Sequence, residues 1–443
     1  MKIPLSWLKE FIDFDLDVET LVDTMGRNGL EVDGVTHPGA GTSGVLTAKV
    51  LSWEPHPNAD KLRVVQIDNG SAQIEVVCGA TNFATGDVVA HAGPGATIPG
   101  MTMAAKELRG VLSQGMLCSS RELEVGPDTD GIMLLDRATP LGIEMTDVLP
   151  LGEAVIDVEV LADRGDHHSI LGIAREIAAV LDLELRRPAS PRTELSGPVT
   201  LRLDEPEACT QFATRTVGGV AMGASSWPLR MRLAQCGVRS ISNVVDVTNY
   251  VMLELGQPMH AYDLDKLEGS ALGVRFARQA ETLVTLDDQE RTLDPRDLLV
   301  IDGQRPVGLA GVMGGLDTEV TSATSRVTFE AATWNAPMVR ATSLRLGLNS
   351  EAGMRFARGV DPAGARAACD RAVELLGMLA GGLQDLGANH AGSDTAERES
   401  VAVQPSWVRS FIGLDALTDN RQRELLERAG CVVVAGDDQL VVT

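Results

Sequence analysis

Between Val45 and Leu149 the sequence breaks into short β-like runs, Leu46–Leu51, Leu62–Ile67, Ile74–Cys78 and Val88–Ala90, separated by Gly, Pro, Asn and Asp. Closely spaced strands with turn signals between them predict a small barrel. The flanking stretches keep a different period. Leu5, Leu8, Phe11 and Ile12 recur at helical spacing with Ser6 opening the helix. Asp17 is placed to cap a second helix, with Leu21, Val22 and Met25 inward. After a strand at Val155–Val160, Ser169 is placed to cap a helix whose apolar stripe is Ile170, Ile173, Ile177 and Val180. The barrel, residues 39–150, therefore reads as an insertion in one discontinuous domain, residues 1–38 plus 151–190. Thr36 to Gly44, rich in Gly and small polar residues, reads as the linker into it.

A second linker, Arg186 to Pro198, carries three prolines and precedes a mixed region over 199–390. There Val244, Val247, Val251 and Leu255 keep helical spacing, and Gly256 closes the helix. Strands at 283–286 and 291–293 are expected to pair around Asp287-Asp288. Val327–Ala331 alternates, with Thr328 and Glu330 on the face opposite Val327, Phe329 and Ala331. Asp361-Pro362 reads as a cap with a first-turn proline, opening a helix to Ala380. Gly387 to Ser400 reads as a third linker, before a small module at 400–443. In it Thr418 caps a helix ending near Gly430, and a hairpin turns at Gly436-Asp437-Asp438. The chain stops in or just after a strand with little surface left to bury it, so a longer parent chain is expected.

Hydrophobic residues make up 44% and charged residues 23%, ordinary for a soluble globular protein. The formal net charge is -24, which opposes nonspecific attraction to polyanions. Six scattered cysteines with no Cys-x-x-Cys pair suggest reduced thiols, with no zinc site and no disulfide scaffold. No run is long enough to span a membrane, and no signal peptide opens the chain, so the expected location is the cytoplasm.

Some residues point toward chemistry, each with a plainer reading beside it. Val307 to Gly315 is glycine-rich but lacks dinucleotide spacing, and reads as a permissive turn that could line a pocket. His260, in Gly256-Gln257-Pro258-Met259-His260, is expected in a loop just past a helix end, a better setting for chemistry than a helix face. Asn249 lies one to two turns earlier, either orienting a substrate or simply solvent-exposed. Glu330 sits among apolar and small residues, either on a solvated face or buried with a purpose. His56 to Leu62 reads as an Asx/Pro turn. His167-His168 has no third ligand nearby and reads as a surface pair beside Asp166.

Taken together, these motifs resemble a known family. Lys2-Ile3-Pro4-Leu5-Ser6-Trp7-Leu8 is similar to the start of bacterial phenylalanyl-tRNA synthetase β subunits. His56 to Leu62, Val77-Cys78-Gly79-Ala80, and Arg109-Gly110-Val111 through Gly115-Met116-Leu117-Cys118-Ser119 resemble that family's OB-type tRNA-binding module. Leu171 to Glu176 resembles the resumed N-terminal domain. Asn243 to Glu254, Gly256 to Asp263, Ala310 to Gly315 and Arg358 to Pro362 resemble its editing domain. The resemblance implies an α+β multidomain chain: a discontinuous N-terminal helical α+β domain with an inserted OB-type β-barrel, a mixed α/β editing domain, and the start of a small winged-helix-like module.

It also implies that the chain removes tyrosine from mischarged tRNA(Phe). The partner α subunit would carry ATP-dependent activation of phenylalanine, and the intact enzyme would be an (αβ)2 heterotetramer. ATP and Mg2+ would serve that complete enzyme, with no cofactor or metal held in this chain. Family editing residues map onto His260 and Asn249 as catalytic groups, and onto Glu330, Gly314, Gly315, Ser350 and Ala352 as the tyrosine pocket. A pocket that accepts phenylalanine rejects an added hydroxyl poorly, so a second site that selects for the hydroxyl is the physical remedy. The competing reading is a non-catalytic tRNA-binding or assembly module with an inactive pocket. Three features depart from the family: Gly165 stands where a proline is usual, Ala357 where Glu is common, and family β subunits continue beyond the last module of this sequence. The barrel stretch from Val45 to Pro150 carries 7 basic against 13 acidic residues, which predicts weak tRNA affinity for it alone.

Overall fold

A computed structural model describes every residue except 130, 189–191, 304, 394–399 and 437. It resolves into two compact units. One comprises residues 1–7, 31–159 and 223–246; the other comprises 8–30, 160–222 and 247–443. Among the described residues no helix is long and apolar enough to cross a membrane.

The first unit is built on an antiparallel sheet in the order Met116–Leu117, Val88–Ile98, Ser43–Pro55, Arg63–Asp68, Gln73–Cys78. Bulges near Ser43–Val45 and Val50–Ser52 let the long Ser43–Pro55 strand bend between its two partners. The far ends of the sheet are tied together. The Gln114 amide donates to the Glu75 carbonyl at 2.9 Å, and the Val77 amide to Ser113 Oγ at 2.9 Å. Alternate residues of Val88–Ile98 feed two apolar clusters, one with Val88 and Ala90, the other with Val89. The His56 turn has a job beyond turning. His56 Nε2 lies 3.0 Å from the Leu108 carbonyl, and Asn58 Nδ2 donates to the Arg109 carbonyl at 2.9 Å. Lys2–Pro4 and Val32–Thr36 flank Val155–Val158 in a small antiparallel sheet, so the chain enters and leaves this stretch on neighbouring strands.

The second unit opens with the helix Val18–Arg27, capped by Asp17, and includes Ile170–Leu181, capped by Ser169, as the sequence predicts. Its centre is two sheets. The antiparallel four-stranded sheet runs Met259–Asp263, Arg326–Trp334, Cys209–Gly218, Gln384–Gly392. The five-stranded sheet runs Thr200–Leu203, Ala271–Phe276, Leu298–Asp302, Arg305–Leu309, Met313–Gly314. One apolar core joins them, including Phe212, Tyr262, Val300, Leu309, Trp334 and Phe356. The hairpin predicted around Asp287-Asp288 pairs Thr282–Val284 with Glu290–Thr292. In the last segment the helices Pro405–Ile412 and Asp419–Arg428 accompany a three-stranded sheet, with Thr418 as cap. Asp437 of its expected turn lies outside the described residues, as do 189–191 and 394–399 of the two later linkers.

Four expectations are corrected. His260 is not in a loop: it belongs to the strand Met259–Asp263, because pairing with Arg326–Trp334 overrides the local Gly/Pro signal. His167 and His168 are not on the surface but 3% and 6% exposed, in a short 3-10 turn between Arg164 and the Ser169-capped helix. Asp361-Pro362 does not cap the following helix. The Asp361 carboxylate instead accepts from the Ala363 amide at 2.9 Å, and the helix begins at Ala365 with Gly364 at its cap. Gly387 to Gly392 is not linker but part of the edge strand Gln384–Gly392, where Gly387 sits at φ +103 beside Leu386, the extra residue of a bulge in this strand.

Candidate functional site

The helix Asn243–Leu255 ends at Gly256, whose φ of +79 turns the chain toward the sheet. Gln257, 3% exposed, donates to the Ala332 carbonyl at 2.9 Å and to the Pro258 carbonyl at 3.1 Å. This amide clamps the Pro-Met-His segment to the Glu330 strand. The register that follows sets His260 opposite Glu330 and Tyr262 opposite Thr328.

Glu330 is 6% exposed, so the open question of its face resolves in favour of burial. It is not alone, as the sequence suggested. The Tyr262 hydroxyl donates to Glu330 Oε2 at 2.5 Å. Burial raises the carboxyl to about 7, and the Tyr262 hydrogen bond pulls the other way. Tyr262 itself, 1% exposed, is pushed well above an ordinary phenol by burial and by the neighbouring carboxylate. The rings of His260 and Tyr262 meet edge to face, 4.5 Å between centroids. Burial drops the His260 imidazole to about 4, so it is neutral at physiological pH. Its Nε2 is buried with no hydrogen-bond partner among the described residues.

The glycine-rich stretch forms a tight hairpin between Arg305–Leu309 and Met313–Gly314. Gly311 has φ +70, and a Cβ there would lie 2.8 Å from Trp334 Cδ1 and 2.9 Å from Val339 Cγ2. A Cβ on Gly314 would lie 2.4 Å from His260 Cε1, so the bare α-carbon is what leaves room for the ring. Gly315 donates its amide to the Val307 carbonyl at 2.8 Å, and a Cβ there would meet that same oxygen at 2.7 Å. Ser350 caps the helix Glu351–Arg358: its hydroxyl accepts from the Gly353 amide and donates to the Val312 carbonyl, both at 3.0 Å. The cap thereby ties the hairpin to the helix carrying Ala352.

His260, Tyr262, Gly314, Glu330, Ser350 and Ala352 line one cavity of about 220 Å³, closed by apolar side chains such as Val312, Trp334 and Phe356. Asn249, half-buried on the preceding helix, and Gly315 are not among its lining residues. Larger hollows of about 900 Å³ around Met338 and about 380 Å³ around Asp370 hold none of the residues singled out from sequence. Tyr262 is the residue that sequence reasoning missed, because its place beside Glu330 exists only in the pairing of two strands distant in sequence. Among the described residues no group of three or more His, Cys, Asp or Glu side chains is clustered as a metal site requires.

The chain is similar to known proteins along nearly its whole length. Residues 208–381 match the B3/4 domain family and residues 45–144 the putative tRNA binding domain family. The phenylalanine–tRNA ligase β subunit of Anaeromyxobacter dehalogenans is 43% identical over 438 residues, 96% of this chain and 54% of that protein. The β subunit of Moorella thermoacetica is 40% identical over 439 residues, 97% of this chain and 54% of that protein. An N-terminal fragment of the phenylalanyl-tRNA synthetase β subunit from Pyrococcus horikoshii aligns with a TM-score of only 0.32 and 16% identity, covering 66% of this chain and 81% of that one. This chain spans about half the length of the curated relatives it matches. Over that span it belongs to the family of phenylalanine–tRNA ligase β subunits.

Proposed function

We propose that the cavity between the His260 strand and the glycine hairpin hydrolyses the ester of tyrosine wrongly attached to tRNA(Phe). The observation that carries this reading is a buried carboxylate and a half-buried, neutral imidazole whose Nε2 is buried, cross-strand partners on one small, largely apolar cavity. A tyrosyl side chain brings a hydroxyl that can donate to Glu330; a phenylalanyl side chain brings none. Such a hydrogen bond to a charged group contributes about 1.5–3 kcal/mol.

Hydrolysis adds a water oxygen to the ester carbonyl carbon and breaks the bond to the ribose oxygen, which leaves with a proton. An imidazole near 4 is a weak base at neutral pH, so His260 is assigned to positioning the water through its unpartnered Nε2. The ribose hydroxyl of the tRNA is then available as proton acceptor. The barrel stretch and the remaining segments serve tRNA binding and assembly with an α subunit, as (αβ)2, in the cytoplasm. ATP and Mg2+ belong to the α subunit's activation step, and no group of this chain is assigned to them. The alternative, a pocket retained without activity, draws support from the Tyr262 hydroxyl already seated on Glu330.

The test is deacylation of Tyr-tRNA(Phe) and Phe-tRNA(Phe) by the chain, with and without its α partner. The tyrosyl ester should be hydrolysed preferentially, Glu330→Ala should erase the preference, and His260→Ala should slow the reaction. Equal treatment of the two esters by the unaltered protein would remove this reading in favour of the inactive pocket.

A further inference from the structure

The Glu330 carboxylate has two oxygens, and the chain itself occupies one. Tyr262 donates to Oε2 at 2.5 Å, while Oε1 has no hydrogen bond to any described residue. Both side chains line the same 220 Å³ cavity. The Tyr262 ring also stands edge-on to His260, so it touches both residues on which the proposed reaction depends. The site thus holds a phenol of its own, hydrogen-bonded as a substrate phenol would be.

Resting on the proofreading reading above, we infer that Tyr262 is a specificity-setting, positioning residue: it fixes Glu330 through one oxygen and leaves the other to meet the substrate's hydroxyl. Two effects follow. A carboxylate already holding one donor is penalised less when phenylalanine fills the cavity, so the internal phenol compresses the discrimination. A donor on the ionised form also favours that form, so Tyr262 lets Glu330 act as a charged acceptor nearer neutral pH. Among the described residues no other group lowers the Glu330 carboxyl. His260 is neutral there, Cys209 and Cys369 approach from the neighbouring strand and helix as buried thiols, and Asp302 adds a further negative charge near Tyr262.

A purely structural Tyr262 would cost stability on truncation and leave the pH dependence of selectivity alone. The experiment therefore measures the ratio of kcat/KM for Tyr-tRNA(Phe) over Phe-tRNA(Phe) against pH, in the unaltered chain and in Tyr262→Phe. The unaltered ratio should rise through a midpoint near neutrality. In Tyr262→Phe the ratio well above both midpoints should be higher than in the unaltered chain, and the midpoint should move to higher pH by about one unit, so that below both midpoints the ratio, taken relative to each protein's own plateau, falls roughly tenfold. A second probe keeps the native shape. The chain has two tyrosines, Tyr250 and Tyr262, so uniform 3-fluorotyrosine labelling, compared with the same labelling of a Tyr250→Phe chain, isolates position 262. A more acidic phenol there should move the midpoint to lower pH. An unaltered protein without tyrosyl preference sinks the proofreading reading and this inference with it. A preference whose midpoint stays fixed under both changes sinks this inference alone.

Discussion

The α-carbons of His260 and Glu330 are cross-strand partners in the antiparallel pairing of Met259–Asp263 with Arg326–Trp334. Directly opposed residues project to the same face of a sheet. That places an imidazole and a carboxyl side by side on one small cavity, and burial drives them apart in acidity, to about 4 and about 7. Between those values both are uncharged, so the pair is not an ion pair at mildly acid pH. Titratable neighbours pushed apart in this way are a recurrent signature of divided chemical labour.

Gly314→Ala should disable the site while sparing the fold. The new Cβ would fall 2.4 Å from His260 Cε1 and 2.7 Å from Nε2, so the ring has to turn or the hairpin has to move. Misplacing a reacting group by about an ångström costs roughly 100-fold in rate. The expected result is a loss of that order in Tyr-tRNA(Phe) hydrolysis, with a thermal transition lowered only modestly. Full retention of the rate would show that the imidazole's place is immaterial.

Gly311→Ala should be chiefly a stability change. It meets two obstacles, a left-handed backbone at φ +70 and contacts under 3 Å with Trp334 and Val339. Gly29 offers the control: its φ is +84 and nothing lies within 4 Å of its would-be Cβ. Gly29→Ala should cost about 1–2 kcal/mol from backbone strain alone. Gly311→Ala should exceed it by a further 1–3 kcal/mol from overpacking. Denaturant unfolding of the two variants measures the difference, and equal losses would contradict the packing argument.

Ser350→Ala removes a helix cap and a tether at once. The Gly353 amide and the Val312 carbonyl both lose their partner. Cap deletions cost about 0.5–2 kcal/mol. The hairpin should also loosen, so amide exchange at Gly314 and Gly315 should quicken along with that at Gly353. Faster exchange confined to Gly353 would show that the hairpin does not depend on the cap.

What could be read from the residues, and what could not, divides by the range of the interaction. The caps at Asp17 and Ser169 and the stop at Gly256 are local, and each lies where its own neighbours put it. The Tyr262–Glu330 hydrogen bond joins residues 68 apart and exists only in one strand register. No periodicity in either strand announces it. The same holds for His260, whose Gly and Pro neighbours suggest a loop until a distant strand recruits the segment. His167 and His168 look exposed beside charged Asp166, yet Arg355, 187 residues from His168, donates to the His168 carbonyl at 3.1 Å in the folded chain. Of the other cavity residues, His260, Glu330 and the glycine-rich stretch stand out among their own neighbours, whereas Ser350 and Ala352 come only from family likeness, which carries long-range information that composition lacks.

Glu330→Gln should alter the pH dependence of stability in a defined direction. An ordinary glutamate titrates near 4.5, and burial raises Glu330 to about 7. Between those values the folded protein retains a proton that the unfolded chain has released, so this group makes stability fall as pH rises from about 4.5 to about 7 and adds no slope above. A shift of that size corresponds to roughly 3 kcal/mol. His260 works the other way: lowered from 6.5 to about 4, it withdraws stability as pH falls through that window. Glutamine keeps the side chain's shape and an oxygen for the Tyr262 hydroxyl but cannot ionise. The variant should therefore gain on the unaltered protein by up to roughly 3 kcal/mol between pH 5 and pH 8, while the acid-side loss tied to His260 persists in both. Guanidinium midpoints at the two pH values provide the measurement. A variant that tracks the unaltered protein in parallel would mean that the carboxyl does not titrate in this range, and that its burial leaves its acidity unchanged.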